Sequence, residues 1–485
     1  MKRPNIILIT TDQQRFDTFN KFAPSFLRTP NLDALSHRGT VFENAYTDCP
    51  ICVPSRISIM TGLPAAMHGM LGNGESSKVL NHENTLPAAL RKLGYQTYAV
   101  GKMHFSPQRA RHGFDEIILI EDFFLEMERS GSPLQPMRSG LSQTGLEPSM
   151  STSPETMTST WWTAEKSAEF IRERRDPTRP FFLWTSFSKP HPPFDPPEPY
   201  YSMYRQSNIP AAVRGDWLEG ERCPESFKRS QQQQSFDLLS PEKIREARSA
   251  YYGLITQIDH NIGRILEALH EDMVELFDNT LIMFTSDHGD YLGDHGAGGK
   301  KFFHEASAHL PMMLCLPKCW ENKGWGRRVS TPVTLADIMP SLLHAAGENN
   351  DKTAKCMSLI DLARGTEKDR RDFVVGVGPA GNQKNGMVTN GKWKYIWWSE
   401  GGIEQLFNLE EDRLECHDLS TDKSYKKILD DMRGILVSSP EAQAGKMVKN
   451  GKLLVSPVRK ETEIERRTQN YMAYDGEKSG KDVRH

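Results

Sequence analysis

Short, largely apolar runs recur along this chain, and each is followed at once by polar or charged residues. The first covers 5–10, and later ones cover 96–100, 180–187 and 281–285. Apolar runs without polar alternation are typical of strands in a parallel sheet that helices cover on both faces. Helical periodicity between the runs, strongest over 241–270, completes the alternation. We therefore predict an α/β fold with a large, mostly parallel sheet sandwiched by helices.

The pattern changes beyond about residue 370. Short strand-like segments at 373–377, 387–389 and 393–398 are separated by Gly and Asn turns, which is typical of an antiparallel sheet. We predict an α/β domain over 1–370 and a smaller C-terminal antiparallel α+β subdomain, with a polar tail, over 371–485.

Two segments of the first predicted domain lose helical and strand periodicity. One covers about 123–158 and is rich in Ser, Thr, Pro and Met. The other covers about 205–240 and contains Gln231–Gln234. Because long segments without periodicity are usually functional or disordered loops, we predict two surface insertions.

The overall composition excludes several classes of protein. Net charge is -3 with a pI near 6.6, so no broad basic surface is available for nucleic acid. No stretch is apolar for long enough to cross a membrane. Seven cysteines, an odd and scattered set, argue against a disulfide framework, and the run at 5–10 is too short for a secretory signal. We expect a reduced, cytoplasmic protein, unless a leader has already been removed, and leave the oligomeric state open.

One motif stands out near the N-terminus. The sequence at 52–56 reads Cys-Val-Pro-Ser-Arg, and Thr-Gly follows at 61–62. Because proline disfavours helical backbone in the residue before it, we predict that a helix begins after the proline with Ser55 as its N-cap. Cys52 would then lie just before a helix N-terminus, where partial positive charge favours anions. Arg56 would add a fixed cation that can bind tetrahedral oxyanions.

Polar residues follow the predicted strands at four places. A carboxylate there is more often a helix cap, and a lone histidine is more often a core or surface residue. The carboxyl ends of parallel strands, however, meet at one edge of a sheet, where such folds bind ligands. We therefore predict that one site contains Asp12, Gln13, Lys102, His104, His191, Asp287 and His288.

The cysteine motif resembles the signature of the type I sulfatases of the alkaline phosphatase superfamily, and the polar clusters match that family's pattern. The resemblance implies that a formylglycine-generating maturation enzyme converts Cys52 to formylglycine, whose hydrate is the nucleophile. It implies a divalent metal ion bound by residue 52 together with Asp12, Gln13, Asp287 and His288. It also implies that Arg56, Lys102 and Lys300 neutralise charge on the sulfate group.

If the resemblance holds, His191 and His104 would transfer protons during the reaction. His191, or alternatively Lys300, would protonate the leaving oxygen. His104 would later remove the proton from the remaining hydroxyl of the hydrate.

The predicted metal ligands depart from those of many sulfatases. Gln13 and His288 stand where many members have Asp and Asn, and the Gln/His version resembles choline-sulfatase-like and phosphonate-monoesterase-like members. Among the predicted side-chain ligands, only Asp12 and Asp287 then carry a formal negative charge. We expect Ca²⁺ first, while the imidazole makes Mn²⁺ credible and Mg²⁺ stays open.

The predicted activity is hydrolysis of a sulfate monoester, carried by a glycan or another carbohydrate or by a small organic molecule. Hydrolysis of phosphonate monoesters or phosphodiesters on the same fold is the alternative enzyme. A sulfoglycan-binding protein without activity is the alternative of another class, and the joint presence of all the polar groups argues against it.

Overall fold

The computed structural model describes residues 3–130, 146–233, 238–271, 274–320, 325–348, 356–366, 370–378 and 384–459. The strands are β1 (Asn5–Asp12), β2 (Thr40–Phe42), β3 (Ala45–Tyr46), β4 (Gln96–Gly101), β5 (Glu116–Leu119), β6 (Phe181–Pro190), β7 (Thr280–Ser286), β8 (Met312–Cys315), β9 (Arg327–Val329), β10 (Val333–Thr334), β11 (Val374–Gly378), β12 (Asn385–Thr389), β13 (Trp393–Trp398), β14 (Ile403–Asn408), β15 (Val448–Lys449) and β16 (Lys452–Leu453).

The helices are α1 (Pro30–Arg38), α2 (Cys52–Thr61), α3 (Ala65–His68), α4 (Leu86–Lys92), α5 (Ile120–Arg129), α6 (Ser159–Glu169), α7 (Tyr200–Met203), α8 (Glu225–Gln233), α9 (Pro241–Glu271), α10 (Val274–Asp278), α11 (Glu305–Ala308), α12 (Ile338–Ala345), α13 (Leu359–Arg364), α14 (Lys426–Ser438) and α15 (Pro440–Ala444). A π-helical turn, Phe170–Arg174, continues α6.

The central sheet has eight strands in the order β5-β4-β6-β1-β7-β8-β2-β9. All neighbours pair in parallel except β8, which is antiparallel to both β7 and β2. The prediction of a large, mostly parallel sheet is confirmed. Its four central strands β4, β6, β1 and β7 are consecutive and parallel, so their carboxyl ends lie side by side.

Helices cover both faces of this sheet, which explains the unbroken apolar character of β1. Ile6 and Leu8 belong to the hydrophobic cluster on one face, and Ile7 and Ile9 to the cluster on the other. Burial of apolar surface on both sides is the main contribution that stabilises such a layer. The long helix α9 packs its apolar face against the second cluster, as its periodicity predicted.

The C-terminal part contains an antiparallel sheet in the order β11-β12-β13-β14, which confirms the predicted change of architecture. One hydrophobic cluster joins this sheet to the first part of the chain, since Trp398 and Phe407 pack with Tyr46 and Phe303. The division into two domains at about residue 370 stays a prediction.

The two predicted insertions are more ordered than their sequences indicated. Residues 123–129 belong to α5, where the Phe123 side chain is fully buried. In the second segment, Trp217 and Phe227 are fully buried in the cluster just described. Isolated aromatic residues in a polar segment give no periodic pattern, so their burial could not be predicted from the sequence. Residues 131–145 and 234–237 lie outside the described residues.

Across the ranges that the structure describes, we find no helix with both the length and the apolar character needed to cross a membrane.

Candidate active site

The predicted polar residues meet at the carboxyl edge of the central sheet. Asp12 is the last residue of β1, Lys102 follows β4 directly, and Asp287 follows β7 directly. His191 follows the last residue of β6. The parallel order of these four strands is what brings together residues that are far apart in sequence.

Cys52 lies at the same edge, but its helix begins earlier than predicted. α2 starts at Cys52 itself, with Ile51 as N-cap, so the prediction of Ser55 as N-cap is wrong. The Ser55 hydroxyl instead contacts Cys49 O at 3.0 Å and the Thr47 hydroxyl at 2.8 Å. Pro54 fits here because its missing N–H would have no partner in the first helical turn in any case.

Four potential metal ligands surround one point. The side chains of Asp12, Cys52, Asp287 and His288 offer atoms that all lie within 4.8 Å of one another, and all four are buried. Cys52 Sγ lies 3.1 Å from His288 Nε2 and 3.9 Å from Asp12 Oδ1. Carboxylate and imidazole donors in one buried cluster fit a divalent cation, which would relieve the repulsion between the two carboxylates.

Electrostatics at Cys52 differ from those of an ordinary buried thiol. Burial and the Asp12 carboxylate raise the pKa of this thiol. Lys300, His288 and His104 lower the pKa, and their combined effect is the larger one. The net pKa of the Cys52 thiol is well below its usual value. By contrast, burial and Asp48 raise the pKa of Cys49 well above the usual value. Of these two cysteines, Cys52 is therefore the one whose neighbours favour the thiolate.

Gln13 extends the cluster with an amide. Its backbone has φ of 73°, a left-handed conformation that costs free energy outside glycine. Gln13 Oε1 accepts a hydrogen bond from Lys300 Nζ at 2.7 Å. Lys300, which the resemblance to sulfatases implied, is thereby brought to the same edge.

Arg56 lies between two carboxylates of the cluster. Its guanidinium is fully buried and binds Asp287 Oδ2 through Nε at 2.9 Å and Asp12 Oδ2 through Nη2 at 3.4 Å. Nη1 donates to the Ser186 hydroxyl at 2.8 Å and also to Lys102 O. Because each nitrogen already has a partner, Arg56 holds the two carboxylates instead of reaching towards an oxyanion.

Lys102 also pairs with Asp12, at 2.6 Å, but its side chain remains 17% exposed towards the opening. Burial raises the pKa of Asp12, while Lys102, His191, Lys300 and Arg56 lower it, and the net pKa is well below the usual value. The Asp12 carboxyl is therefore ionised at neutral pH.

Two histidines flank the opening. His104 is exposed and has φ of 61°, and it is one of the groups that lower the pKa of the Cys52 thiol. His191 is partly buried, with Nδ1 2.8 Å from Pro192 O. Burial and the charges of Lys300 and Lys102 hold the pKa of His191 well below its usual range.

A cavity of about 320 Å³ continues outwards from Lys102, His104 and His191. Its wall combines hydroxyl and amide side chains with apolar and charged ones, among them Phe124 and Glu121 from α5. Sequence reasoning missed this cavity because residues 120–129 were assigned partly to an insertion. It also missed Ser186, Tyr251 and Asp290, whose contacts with Arg56 and Gln13 leave no mark in a motif.

Known proteins resemble this chain in both sequence and fold. The family model described as Sulfatase matches residues 4–348, and the model described as N-sulphoglucosamine sulphohydrolase, C-terminal, matches residues 293–441. The chain is 35% identical to an arylsulfatase of Clostridium perfringens over 93% of this chain and 97% of the relative. It is 29% identical to a choline-sulfatase of Rhizobium meliloti over 86% of this chain and 82% of the relative.

Among solved structures, the phosphonate monoester hydrolase of Agrobacterium radiobacter superposes with a TM-score of 0.77 at 25% identity. The superposition covers 91% of this chain and 96% of that one. With the family model matched over most of its length, the chain belongs to the sulfatase family and is a sulfuric ester hydrolase.

Proposed function

We propose that residue 52, matured to formylglycine, is the nucleophile of sulfate ester hydrolysis at this edge of the sheet. The observation that carries the proposal is the position of Cys52, which begins α2 inside the cluster of Asp12, Asp287 and His288. The hydrate of the aldehyde would supply the attacking hydroxyl. Because the sulfatase family implies this modification, we also propose a formylglycine-generating enzyme as a partner of the chain.

We further propose that Asp12, Gln13, Asp287 and His288 hold one divalent metal ion beside residue 52. When bound, such an ion stabilises negative charge on the sulfate oxygens. Ca²⁺ is the first choice because three of the four residues offer oxygen ligands, and Mn²⁺ and Mg²⁺ are its competitors.

The remaining residues divide into groups that touch the substrate and groups that hold the site. Lys102 lines the cavity and Lys300 contacts Gln13 beside it, and both bind the sulfate oxygens, because ammonium groups stabilise the charge that develops there. Arg56 holds Asp12 and Asp287 in position.

His191 and His104 transfer protons at different atoms. His191 lines the cavity where the alcohol would leave, so it protonates the leaving oxygen once the negative charge of the bound sulfate offsets the effects of burial, Lys300 and Lys102 on its pKa. His104 lines the same cavity and is one of the groups that lower the pKa of the Cys52 side chain, so it accepts a proton from residue 52.

The alcohol of the substrate would occupy the 320 Å³ cavity. Its wall contains Ser159, Thr160 and Gln257, which can bind hydroxyl groups, and Phe124, which can pack against an apolar face. This lining favours one sulfated sugar unit, and it also accepts a small organic sulfate.

Phosphonate monoester hydrolysis is the second candidate function. It is favoured by the combination of Gln13 with His288 and by the 0.77 TM-score against the phosphonate monoester hydrolase. A tetrahedral phosphonate ester presents a similar charge to the same lysines.

The test begins with protein co-produced with a formylglycine-generating enzyme. Mass spectrometry of the peptide containing residue 52 should show the lower mass of the aldehyde. Parallel assays with an aryl sulfate and an aryl phosphonate ester should show a preference for the sulfate. Cys52→Ala should abolish turnover, whereas Cys49→Ala, a matched buried cysteine outside the ligand cluster, should retain it. Turnover by Cys52→Ala would refute the proposed nucleophile.

A further inference from the structure

We propose that Asp290 is a positioning residue that fixes which end of the Gln13 side-chain amide faces the metal ligands. The inference rests on the proposed function in one respect, since it takes Gln13 as a metal ligand. Asp290 itself touches neither substrate nor metal in this scheme.

The hydrogen bonds of Asp290 determine the orientation of the amide. The Asp290 side chain is fully buried, and its Oδ2 accepts a hydrogen bond from Gln13 Nε2 at 2.5 Å. Its Oδ1 accepts from Leu292 N at 2.8 Å. Both Asp290 oxygens therefore act as hydrogen-bond acceptors in this arrangement. The amide nitrogen of Gln13 must face Asp290, which turns Oε1 towards Lys300.

The backbone of Gln13 is held separately from its side chain. Gln13 N donates to Asp287 Oδ1 at 3.1 Å, and the Tyr251 hydroxyl donates to Gln13 O at 2.8 Å. These contacts keep the residue in its left-handed conformation. These backbone contacts do not prevent rotation of the terminal amide. Such a rotation exchanges its oxygen for a nitrogen of nearly equal size.

Lys300 alone cannot fix this orientation during turnover. It is partly exposed, and in the proposed function its ammonium group binds the sulfate. A metal ion is bound by the amide oxygen and not by the amide nitrogen. The buried Asp290 carboxylate still accepts a hydrogen bond from Gln13 Nε2 when Lys300 binds sulfate, and so it keeps the amide oxygen directed towards the metal ligands.

Asp290→Asn tests the idea with little change of shape. Because Leu292 N must still find an acceptor, the introduced asparagine would turn its oxygen to Leu292 and its NH₂ to Gln13. The Gln13 amide would then present nitrogen to the metal ligands. We expect the metal-stripped variant to bind Ca²⁺ and Mn²⁺ about 10–100-fold more weakly than the parent by titration calorimetry.

Gln13→Glu provides the matched background. When Gln13→Glu is combined with Asp290→Asn, one oxygen of the introduced glutamate accepts from the asparagine NH₂ and the other faces the metal ligands. The net charge of this double variant equals that of the parent. Asp290→Asn should therefore strengthen metal binding when it is added to the Gln13→Glu variant, although it weakens binding when it is added to the parent. This reversal of sign is not expected from general damage to the fold. If the single Asp290→Asn variant does not fold, comparison of Gln13→Glu with the double variant still tests for the gain in affinity.

Equal affinity of Asp290→Asn and the parent would overturn the inference, as would the same effect in both backgrounds. Asp287→Asn separates the two levels of the proposal, since it removes a ligand and should weaken metal binding more than Asp290→Asn. If Asp287→Asn weakens binding and Asp290→Asn does not, only the positioning role fails. If Asp287→Asn binds metal as the parent does, the proposed ligand set is wrong and the positioning role is overturned with it.

Discussion

Lys394 Nζ lies 2.6 Å from Glu305 Oε1, and neither side chain is more than 1% exposed. Lys394 belongs to β13 of the antiparallel sheet, whereas Glu305 begins α11 in the part of the chain that carries the site. Glu415 Oε1 lies 3.2 Å from the same ammonium group. A buried ionic network therefore links the C-terminal sheet to the rest of the molecule.

Lys394→Met should destabilise the protein strongly, because the buried carboxyl groups of Glu305 and Glu415 lose the ammonium group that lies between them. Breaking a buried ion pair from one side typically costs about 3–5 kcal/mol of unfolding free energy. Denaturant unfolding of the variant and the parent measures this cost. Lys392→Met is the matched control, since Lys392 pairs with Glu410 on the surface and its loss should cost less than about 1 kcal/mol. Equal losses in the two variants would contradict the importance of the network.

Stability should fall as pH rises through the pKa of Glu415. Burial and the neighbouring Glu305 raise this pKa to about 8, although Lys394 lowers it. A folded-state pKa above the unfolded value means that the stabilisation is present at pH below about 4.3 and is lost as pH rises towards 8. Glu415→Gln resembles the protonated form and should lose less stability than the parent between pH 6 and 9. Parallel melting-temperature profiles of the two proteins would argue against this assignment.

Metal removal should lower both thermal stability and activity. Burial and the Asp12 carboxylate raise the pKa of Asp287, which shows that the two carboxylates disfavour each other's charge. A divalent cation would remove this cost, so stripping with a chelator should lower the melting temperature. Re-addition of Ca²⁺, Mn²⁺ or Mg²⁺ in separate samples should restore activity to different extents and so identify the preferred ion. Full activity in protein shown to be metal-free would exclude the proposed metal.

His191→Ala should slow alkyl sulfates much more than aryl sulfates. An alkyl alcohol needs protonation to leave, while an aryl oxygen leaves with little help. Loss of general acid catalysis should cost about 10²–10⁴ in kcat for the alkyl ester. His260→Ala, at a histidine that contacts Tyr200 outside the proposed site, should leave the ratio of the two rates unchanged. An equal loss on both esters would show that His191 is not the acid.

The sequence was informative wherever one residue type has one dominant environment. The apolar run of β1 could only be buried on both faces, and the polar residues at strand ends had to meet once the strands were parallel. Asp12, Lys102 and Asp287 therefore lie together as predicted.

Other features depend on contacts that no local pattern encodes. The start of α2 was misplaced because Ser55 is a good N-cap by type, yet its hydroxyl is already used by Thr47 and Cys49. The location of Arg56 between two carboxylates depends on the packing of α2 beneath the sheet edge. The hydrogen bond between Gln13 and Asp290 joins residues 277 positions apart, and it could not be predicted from the sequence either.

The enclosure of Cys52 has a consequence for the order of events during synthesis. Its side chain is 1% exposed in the finished fold, and His288, which lies against the sulfur, is 236 residues further along the chain. At about 5–20 residues per second, a ribosome needs roughly 10 to 50 s to make that interval. During much of this time residue 52 is outside the ribosome, while Asp287, His288 and Lys300 have not yet been made. The long sequence separation that assembles the pocket thus also delays its closure.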